Sequence, residues 1–208
     1  MRKLAILGST GSIGTQALDV AARHSDRFAV TALVAHSSSE KLFEQVRQFH
    51  PQIAALSVEP KEIPADIRES CQWMFGENVL LDVVRACDAD DVHVSVVGVV
   101  GLAAVLEALA CKKPVICEKP IALHLKDAQE MFDAAQANGV QLYVAQVLQF
   151  TREVEQLHRI VDERLYGQPL DACFERLSQR PAWSEGNWLF DRDKSGLLPF
   201  DLHVHDLD

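Results

Sequence analysis

The chain has 208 residues, of which 48% are hydrophobic and 24% are charged, a composition typical of a globular protein with room for one full domain and part of another. Its formal net charge is -10 and its basic residues are scattered, which excludes the positive face that a nucleic-acid-binding protein needs. No apolar stretch approaches the length of a membrane span, and the short, glycine-rich first run is not typical of a signal peptide. The five cysteines form no Cys-x-x-Cys pair, so we expect reduced thiols in a cytoplasmic protein.

The hydrophobic pattern predicts strands and helices in alternation along the first two thirds of the chain. In chain order we expect a strand at 3–7, a helix at 13–24, a strand at 28–34, a helix at 40–49, a strand at 53–56, a helix at 79–87, a strand at 93–97, a helix at 103–110, a strand at 114–117, a helix at 125–138 and a strand at 142–145. Such alternation predicts parallel strands with helices on both faces. The predicted fold class is α/β, a doubly wound Rossmann-type parallel sheet.

After Gln149 the pattern changes, with a predicted helix at 152–165, a strand at 172–177, a polar loop at 179–195 and the start of a helix in the final DLHVHDLD. We therefore expect two domains, a cofactor-binding domain at 1–148 and the incomplete start of an α+β substrate or oligomerisation domain at 149–208. Roughly sixty residues rarely bury enough apolar surface to fold alone. For that reason we expect this chain to self-associate, and the protein to form a homo-oligomer if the second domain is complete.

A glycine-rich loop joins the first strand to the first helix. It comprises Gly8, Ser9, Thr10, Gly11, Ser12, Ile13 and Gly14. In a dinucleotide-binding turn, one glycine permits the tight bend, one lets the backbone approach a pyrophosphate, and one allows close packing of helix on strand. The helix directs its first N–H groups at the phosphates, and the three hydroxyls add donors. Placed between the first strand and first helix of an α/β series, the motif predicts a dinucleotide site.

The end of the second predicted strand indicates which dinucleotide is bound. An NAD-binding enzyme usually has an Asp or Glu there that accepts hydrogen bonds from the ribose hydroxyls. This chain has His36, Ser37 and Ser38 instead, which offer donors to a 2′-phosphate. We therefore predict NADP(H) as the cofactor, in preference to NAD(H). Three further cofactor-binding candidates stand at the ends of other predicted strands: Gly98, Glu118 and Lys119.

From Met1 to about Ala110 the sequence resembles the amino-terminal domain of the 1-deoxy-D-xylulose 5-phosphate reductoisomerase family. The residues that carry the resemblance are KLAILGSTGSIGTQALDV, FAVTALVAHSSSEKLFEQVRQFHP and VSVVGVVGLAAVLEAL. The resemblance implies that Thr10, Gly11, Ser12 and Ile13 bind NADPH, with Ser37 and Ser38 near the 2′-phosphate. That family continues with an Asn-Lys-Glu segment and later acidic metal ligands, whereas this chain has CEKP at 117–120 and nothing that matches the metal site.

From about Lys113 to Asp208 the chain resembles the glucose-fructose oxidoreductase, inositol dehydrogenase and MocA family. The resemblance rests on KPVICEKPIALHLKDAQEMFDAAQANGVQLYVAQVLQF, on the loop with NWLFDRDKSG and on DLHVHDLD. It implies that Lys119, Asp201 and His205 surround the substrate carbon that gains or loses hydride. The two resemblances meet near residues 111–115. A natural mosaic, an assembly artefact and a deliberate chimera would all give this join.

In the dehydrogenase interpretation His205 acts as general acid–base toward a substrate hydroxyl, and Asp201, four residues earlier, orients the imidazole or the substrate. The charge of Lys119 lowers the pKa of the hydroxyl, and we expect a cis or strained peptide at Pro120. A metal site at Asp201, His203, His205 and Asp206 has the right ligand types, but we predict no metal there.

Three functions remain open on sequence alone. The first is an NADP-dependent oxidoreductase that acts on a polyol or sugar-like alcohol, a small-molecule substrate, with no nucleic acid or membrane as a partner. The second is the reductoisomerase reaction of isoprenoid precursor synthesis. The third is a fragment or sensor that binds NADPH without turning it over.

Overall fold

The structure is a computed structural model that describes residues 1–96, 99–175, 177, 179, 185–197, 199, 203 and 204. The chain divides into two compact units, Met1–Val144 and Ala145–Asp208. The assignment of 1–148 to the cofactor and 149–208 to the substrate stays a prediction. Within the described residues, no helix combines the length and the apolar character needed to cross a bilayer.

Seven strands form one sheet. They are β1 (Arg2–Leu7), β2 (Phe28–Ala35), β3 (Ile53–Leu56), β4 (Gln72–Phe75), β5 (Asp91–Val94), β6 (Val115–Glu118) and β7 (Leu142–Ala145). The order across the sheet is β4-β3-β2-β1-β5-β6-β7, and the pairs from β4 to β6 are all parallel. The chain winds outward from β1 to β4 and then returns to place β5 on the other side of β1. The carboxyl ends of β1 and β5 are thus the point at which a doubly wound sheet binds its ligand.

Helices cover both faces of this sheet. The first unit contains α1 (Ser12–Arg23), α2 (Ser39–Phe49), α3 (Val79–Ala86), α4 (Val99–Ala110) and α5 (Leu125–Asn138). Alternate residues of β1 point to opposite faces. Ala5 and Leu7 pack in a core with α3, α4 and α5, whereas Ile6 packs in a second core with α1 and α2. The predicted doubly wound α/β sheet is confirmed.

One strand of the sheet was not predicted from the sequence. β4 pairs with β3 from Gln72 to Phe75, at the edge of the sheet. Its partly buried Trp73 packs against Phe43 and Phe75. Four residues bounded by polar turns carry too little periodicity to identify a strand, and only the pairing with β3 gives this segment its conformation.

The second unit departs from the prediction in two places. Its described elements are a 3₁₀ turn at Val147–Phe150, α6 (Arg152–Asp162), a 3₁₀ turn at Glu185–Phe190 and α7 (Arg192–Ser195). The segment predicted as a loop at 179–195 thus contains two short helical elements, and Asp191 caps the second by accepting from the backbone N–H of Asp193 at 3.0 Å. The strand predicted at 172–177 is not formed over 172–175, where Phe174 is exposed and no described strand offers backbone partners.

Candidate functional site

Two glycines of the loop between β1 and α1 are required by the fold itself. Gly8 has φ +86°, and a Cβ there would lie 2.8 Å from the backbone oxygen of Ser95, at the end of β5. A Cβ on Gly14 would lie 2.3 Å from the backbone oxygen of Gly8, closer than real Cβ atoms come. Gly8 therefore permits the tight turn, and Gly14 permits the close approach of α1 to that turn, as predicted from the motif.

Gly11 has a different environment. A Cβ there would meet only the oxygen of Gly8, at an ordinary 3.4 Å, and the residue is exposed. Gly11 is the N-cap of α1, no side chain caps the helix, and its first turn contains no acidic residue. No side chain therefore satisfies the first N–H groups of the helix, and no carboxylate of the first turn repels an anion. Packing does not require a glycine at this position; glycine is a favourable N-cap residue, and its lack of a side chain leaves open space beside the first turn of α1.

The loop hydroxyls differ in their accessibility. Ser12 is exposed, and Thr10 and Ile13 are partly exposed, so these three can face a ligand. Ser9 is fully buried, and its hydroxyl donates to Oε1 of Gln45 on α2 at 2.7 Å. The expectation that the Ser9 hydroxyl donates to a phosphate is therefore corrected, because that hydroxyl ties the loop to α2.

The end of β2 brings a group of donors beside the glycine loop. His36, Ser37 and Ser38 are exposed, and Ser38 is the N-cap of α2 without making a side-chain capping bond. Lys41, in the first turn of α2, donates from Nζ to the backbone oxygen of Thr10 at 3.4 Å. The sequence interpretation missed Lys41. Its signal was a basic residue two positions after a serine run, and only the packing of α2 against the loop reveals where the amine lies.

The β5 side of the site begins at Ser95. Its backbone N–H donates to the oxygen of Leu7 at 2.8 Å, and its hydroxyl is 2.9 Å from Nδ1 of His93. Burial lowers the pKa of His93, so its imidazole is the neutral form near pH 7. Gly98, predicted to bind the cofactor, lies outside the described residues.

The CEKP segment follows the same edge of the sheet at the end of β6. Burial raises the pKa of the Glu118 carboxyl, and the backbone N–H and the charge of Lys119 oppose that rise in part. Burial also raises the pKa of the Cys117 thiol to about 11, with a smaller effect from the charge of Glu118. Cys117 is therefore a protonated core residue and not a nucleophile. The peptide between Lys119 and Pro120 is cis.

Two of the three predicted catalytic residues, Asp201 and His205, lie outside the described residues, and only Lys119 is placed. Over the part of the chain that is described, no three metal-ligating side chains come together. A cleft of about 530 Å³ opens at the opposite edge of the sheet, among the amino ends of β1 and β2 and residues such as Lys3, Ser25 and Gln52. It is remote from the glycine loop because parallel strands place their two ends at opposite edges.

Comparison with known proteins identifies the first part of the chain. Residues 4–119 match the family model of 1-deoxy-D-xylulose 5-phosphate reductoisomerase. The reductoisomerase of Paraburkholderia phytofirmans is 38% identical over 146 residues, which cover 68% of this chain and 36% of that protein. The relative from Burkholderia mallei strain SAVP1 is 38% identical over 143 residues, with 66% and 36% covered. The chain thus spans about a third of the length of these relatives.

Solved structures agree with the fold. The reductoisomerase of Zymomonas mobilis in complex with NADPH is 26% identical, with a TM-score of 0.59 over 69% of this chain and 38% of that one. A probable dehydrogenase from Thermotoga maritima is 20% identical, with a TM-score of 0.71 over 98% of this chain and 52% of that one. The second likeness shows the fold alone, and it extends over the region that follows residue 119. The chain has an NAD(P)-binding, oxidoreductase-type fold and belongs to the 1-deoxy-D-xylulose 5-phosphate reductoisomerase family.

Proposed function

We propose that this chain binds NADPH and forms the cofactor half of an NADP-dependent oxidoreductase, which transfers hydride between the nicotinamide and a carbonyl or hydroxyl carbon of a sugar-like substrate. The observation that carries the proposal is the amino end of α1, where the exposed Gly11 leaves open space and no side chain caps the first N–H groups. A pyrophosphate can approach this backbone and accept from those N–H groups. The NADPH bound in the Zymomonas relative supports the same cofactor.

The preference for NADPH over NADH rests on the end of β2. Ser37, Ser38 and the amine of Lys41 can donate to a 2′-phosphate, and the N-terminus of α2 favours an anion. Glu40 lies in the same first turn of α2 and opposes an anion, so the charge of Lys41 has to offset it. We therefore assign Lys41 the largest share of the discrimination.

A titration of the chain with NADPH and with NADH tests this proposal. We expect NADPH to bind more tightly, and Lys41→Ala to weaken NADPH about tenfold while NADH affinity stays unchanged, since one charge-assisted hydrogen bond contributes about 1.5–3 kcal/mol. Lys61→Ala, which removes an exposed lysine after β3, is the matched control. Equal affinities for the two cofactors would refute the assignment.

On the substrate side, Lys119 at the end of β6 supplies a positive charge that lowers the pKa of a substrate hydroxyl, and His205 exchanges the proton, with Asp201 as its hydrogen-bond partner. When bound, the nicotinamide carries the hydride. We expect Lys119→Ala to reduce turnover more than cofactor binding. The free thiols of all five cysteines support a cytoplasmic location.

The reductoisomerase reaction is the second candidate, and the family match over residues 4–119 favours it. Two substrates distinguish the candidates. Consumption of NADPH with 1-deoxy-D-xylulose 5-phosphate, dependent on added Mg²⁺, would establish the reductoisomerase reaction. Reduction of NADP⁺ by a cyclitol or sugar without added metal would establish the dehydrogenase reaction.

A further inference from the structure

Gln45 is a polar residue on the buried face of α2. Its neighbours on that face are Leu42, Phe43 and Val46, which pack in the core, and Gln45 itself is 8% exposed. A buried amide costs free energy unless its polar atoms are hydrogen-bonded. An apolar side chain would fill this position at lower cost, so the bonds that Gln45 makes are the reason for the amide.

Both of those bonds go to one residue of the glycine loop. Oε1 of Gln45 accepts from the Ser9 hydroxyl at 2.7 Å, and Nε2 donates to the Ser9 backbone oxygen at 2.8 Å. Ser9 is fully buried, and its N–H donates to the oxygen of Val34 at 2.9 Å. The amide therefore fixes the loop residue that stands between Gly8 and Thr10.

The same helix face reaches the loop a second time. Lys41 is one helical turn before Gln45, on the same side of α2, and its amine contacts the oxygen of Thr10 at 3.4 Å. The loop offers its backbone to a pyrophosphate, whereas Ser37, Ser38 and Lys41 offer donors to a 2′-phosphate. The two groups of donors must therefore keep a fixed separation if one NADPH molecule is to engage both.

We infer that Gln45 is a positioning residue that keeps the glycine loop at a fixed distance from the 2′-phosphate donors at the start of α2. It thereby contributes to the choice of NADPH over NADH without touching either cofactor. This inference rests on the proposed function. NADH engages only the glycine loop and tolerates a shift of α2, whereas NADPH engages both groups of donors and does not tolerate that shift. The NADPH-to-NADH affinity ratio is thus the quantity that depends on Gln45.

The test is a titration of wild type, Gln45→Ala and Ser9→Ala with NADPH and NADH, with thermal unfolding as a check on folding. For Gln45→Ala we expect the Kd for NADPH to rise roughly tenfold and that for NADH roughly twofold, so that the ratio falls about fivefold. Ser9→Ala removes one of the two bonds and leaves α2 unchanged, so we expect a smaller change in the same direction. Gln48→Ala, which removes an exposed glutamine from the same helix, is the matched control, and we expect it to keep the wild-type NADPH-to-NADH affinity ratio.

The outcomes of these titrations separate the inference about Gln45 from the proposed function. If both affinities of Gln45→Ala fall by the same factor, or neither changes, the amide is merely structural and the inference is overturned. If Gln45→Ala does not fold, Ser9→Ala decides by the same criterion. If the wild-type chain shows no preference for NADPH, the proposed function itself fails. If the wild type prefers NADPH and Gln45→Ala keeps that preference, only the inference about Gln45 fails.

Discussion

The backbone oxygen of Ser95 lies 2.8 Å from the position that a Cβ on Gly8 would occupy. The residue that follows β5 thus packs closely against the turn that follows β1. At the same place the backbone N–H of Ser95 donates to the backbone oxygen of Leu7. These two strands are neighbours at the point where the strand order reverses across the sheet, so the contact fixes the loop at the edge where a doubly wound sheet of this kind binds its ligand. Neighbouring glycines of that loop consequently have different roles, and substitution can separate them.

Gly8→Ala should destabilise the protein. The variant places a side chain at φ +86° and against the oxygen of Ser95, and the strain and the overlap together cost about 2 kcal/mol or more. Urea unfolding followed by circular dichroism measures the change in the free energy of unfolding. A variant as stable as the wild type would show that β5 does not constrain this turn.

Gly11→Ala should separate stability from binding. A methyl group there meets only the Gly8 oxygen at 3.4 Å, so the free energy of unfolding should fall by less than about 1 kcal/mol, the usual effect of such a change at an N-cap. NADPH binding should be lost, because the methyl group occupies the space into which a pyrophosphate would come. The same urea series and a fluorescence titration check both parts. Undiminished NADPH affinity would contradict the role assigned to Gly11.

Sequence pattern alone predicts the sheet and the glycine loop because both depend on local signals, namely alternating apolar strands and helices and three spaced glycines. It misses β4, whose conformation depends on pairing with β3. It also misplaces the Ser9 hydroxyl and overlooks Gln45 and Lys41, because these side chains acquire their partners 31 or 36 residues away in the chain. Contacts of that separation follow from the packing of α2 against the loop, which no local pattern encodes.

Acidification should destabilise the protein in part through His93. Burial lowers the pKa of this residue in the folded state below its ordinary value of 6.5, so the unfolded chain binds the proton more readily. The contribution to stability is complete above pH 6.5 and is lost as the pH falls toward the folded-state pKa. As the pH is lowered below 6.5, the free energy of unfolding of His93→Gln, measured by urea unfolding, should therefore decrease less than that of the wild type. Identical pH profiles for the two proteins would contradict this assignment.

Thiol labelling should distinguish the exposed cysteine from the core cysteine. Cys173 is exposed, whereas Cys117 is buried with its pKa raised to about 11, and thiolate-directed reagents require the deprotonated form. At pH 8 we expect a maleimide to modify Cys173 first and Cys117 only after unfolding, as followed by intact mass spectrometry and peptide mapping. Cys173→Ser should remove the fast label. Rapid modification of Cys117 in the folded chain would show that β6 is more accessible than the structure indicates.

Hydrogen–deuterium exchange of the backbone amides, with and without NADPH, tests the central claim most directly. We expect NADPH to slow exchange in the loop from Gly8 to Gly14 and in the segment from His36 to Lys41, and to leave exchange in the cleft at the opposite edge of the sheet unchanged. Protection at Ser25 to Val30 and Gln48 to Gln52 in place of the loop would put the nucleotide in that cleft. That result would contradict the dinucleotide site proposed for this chain.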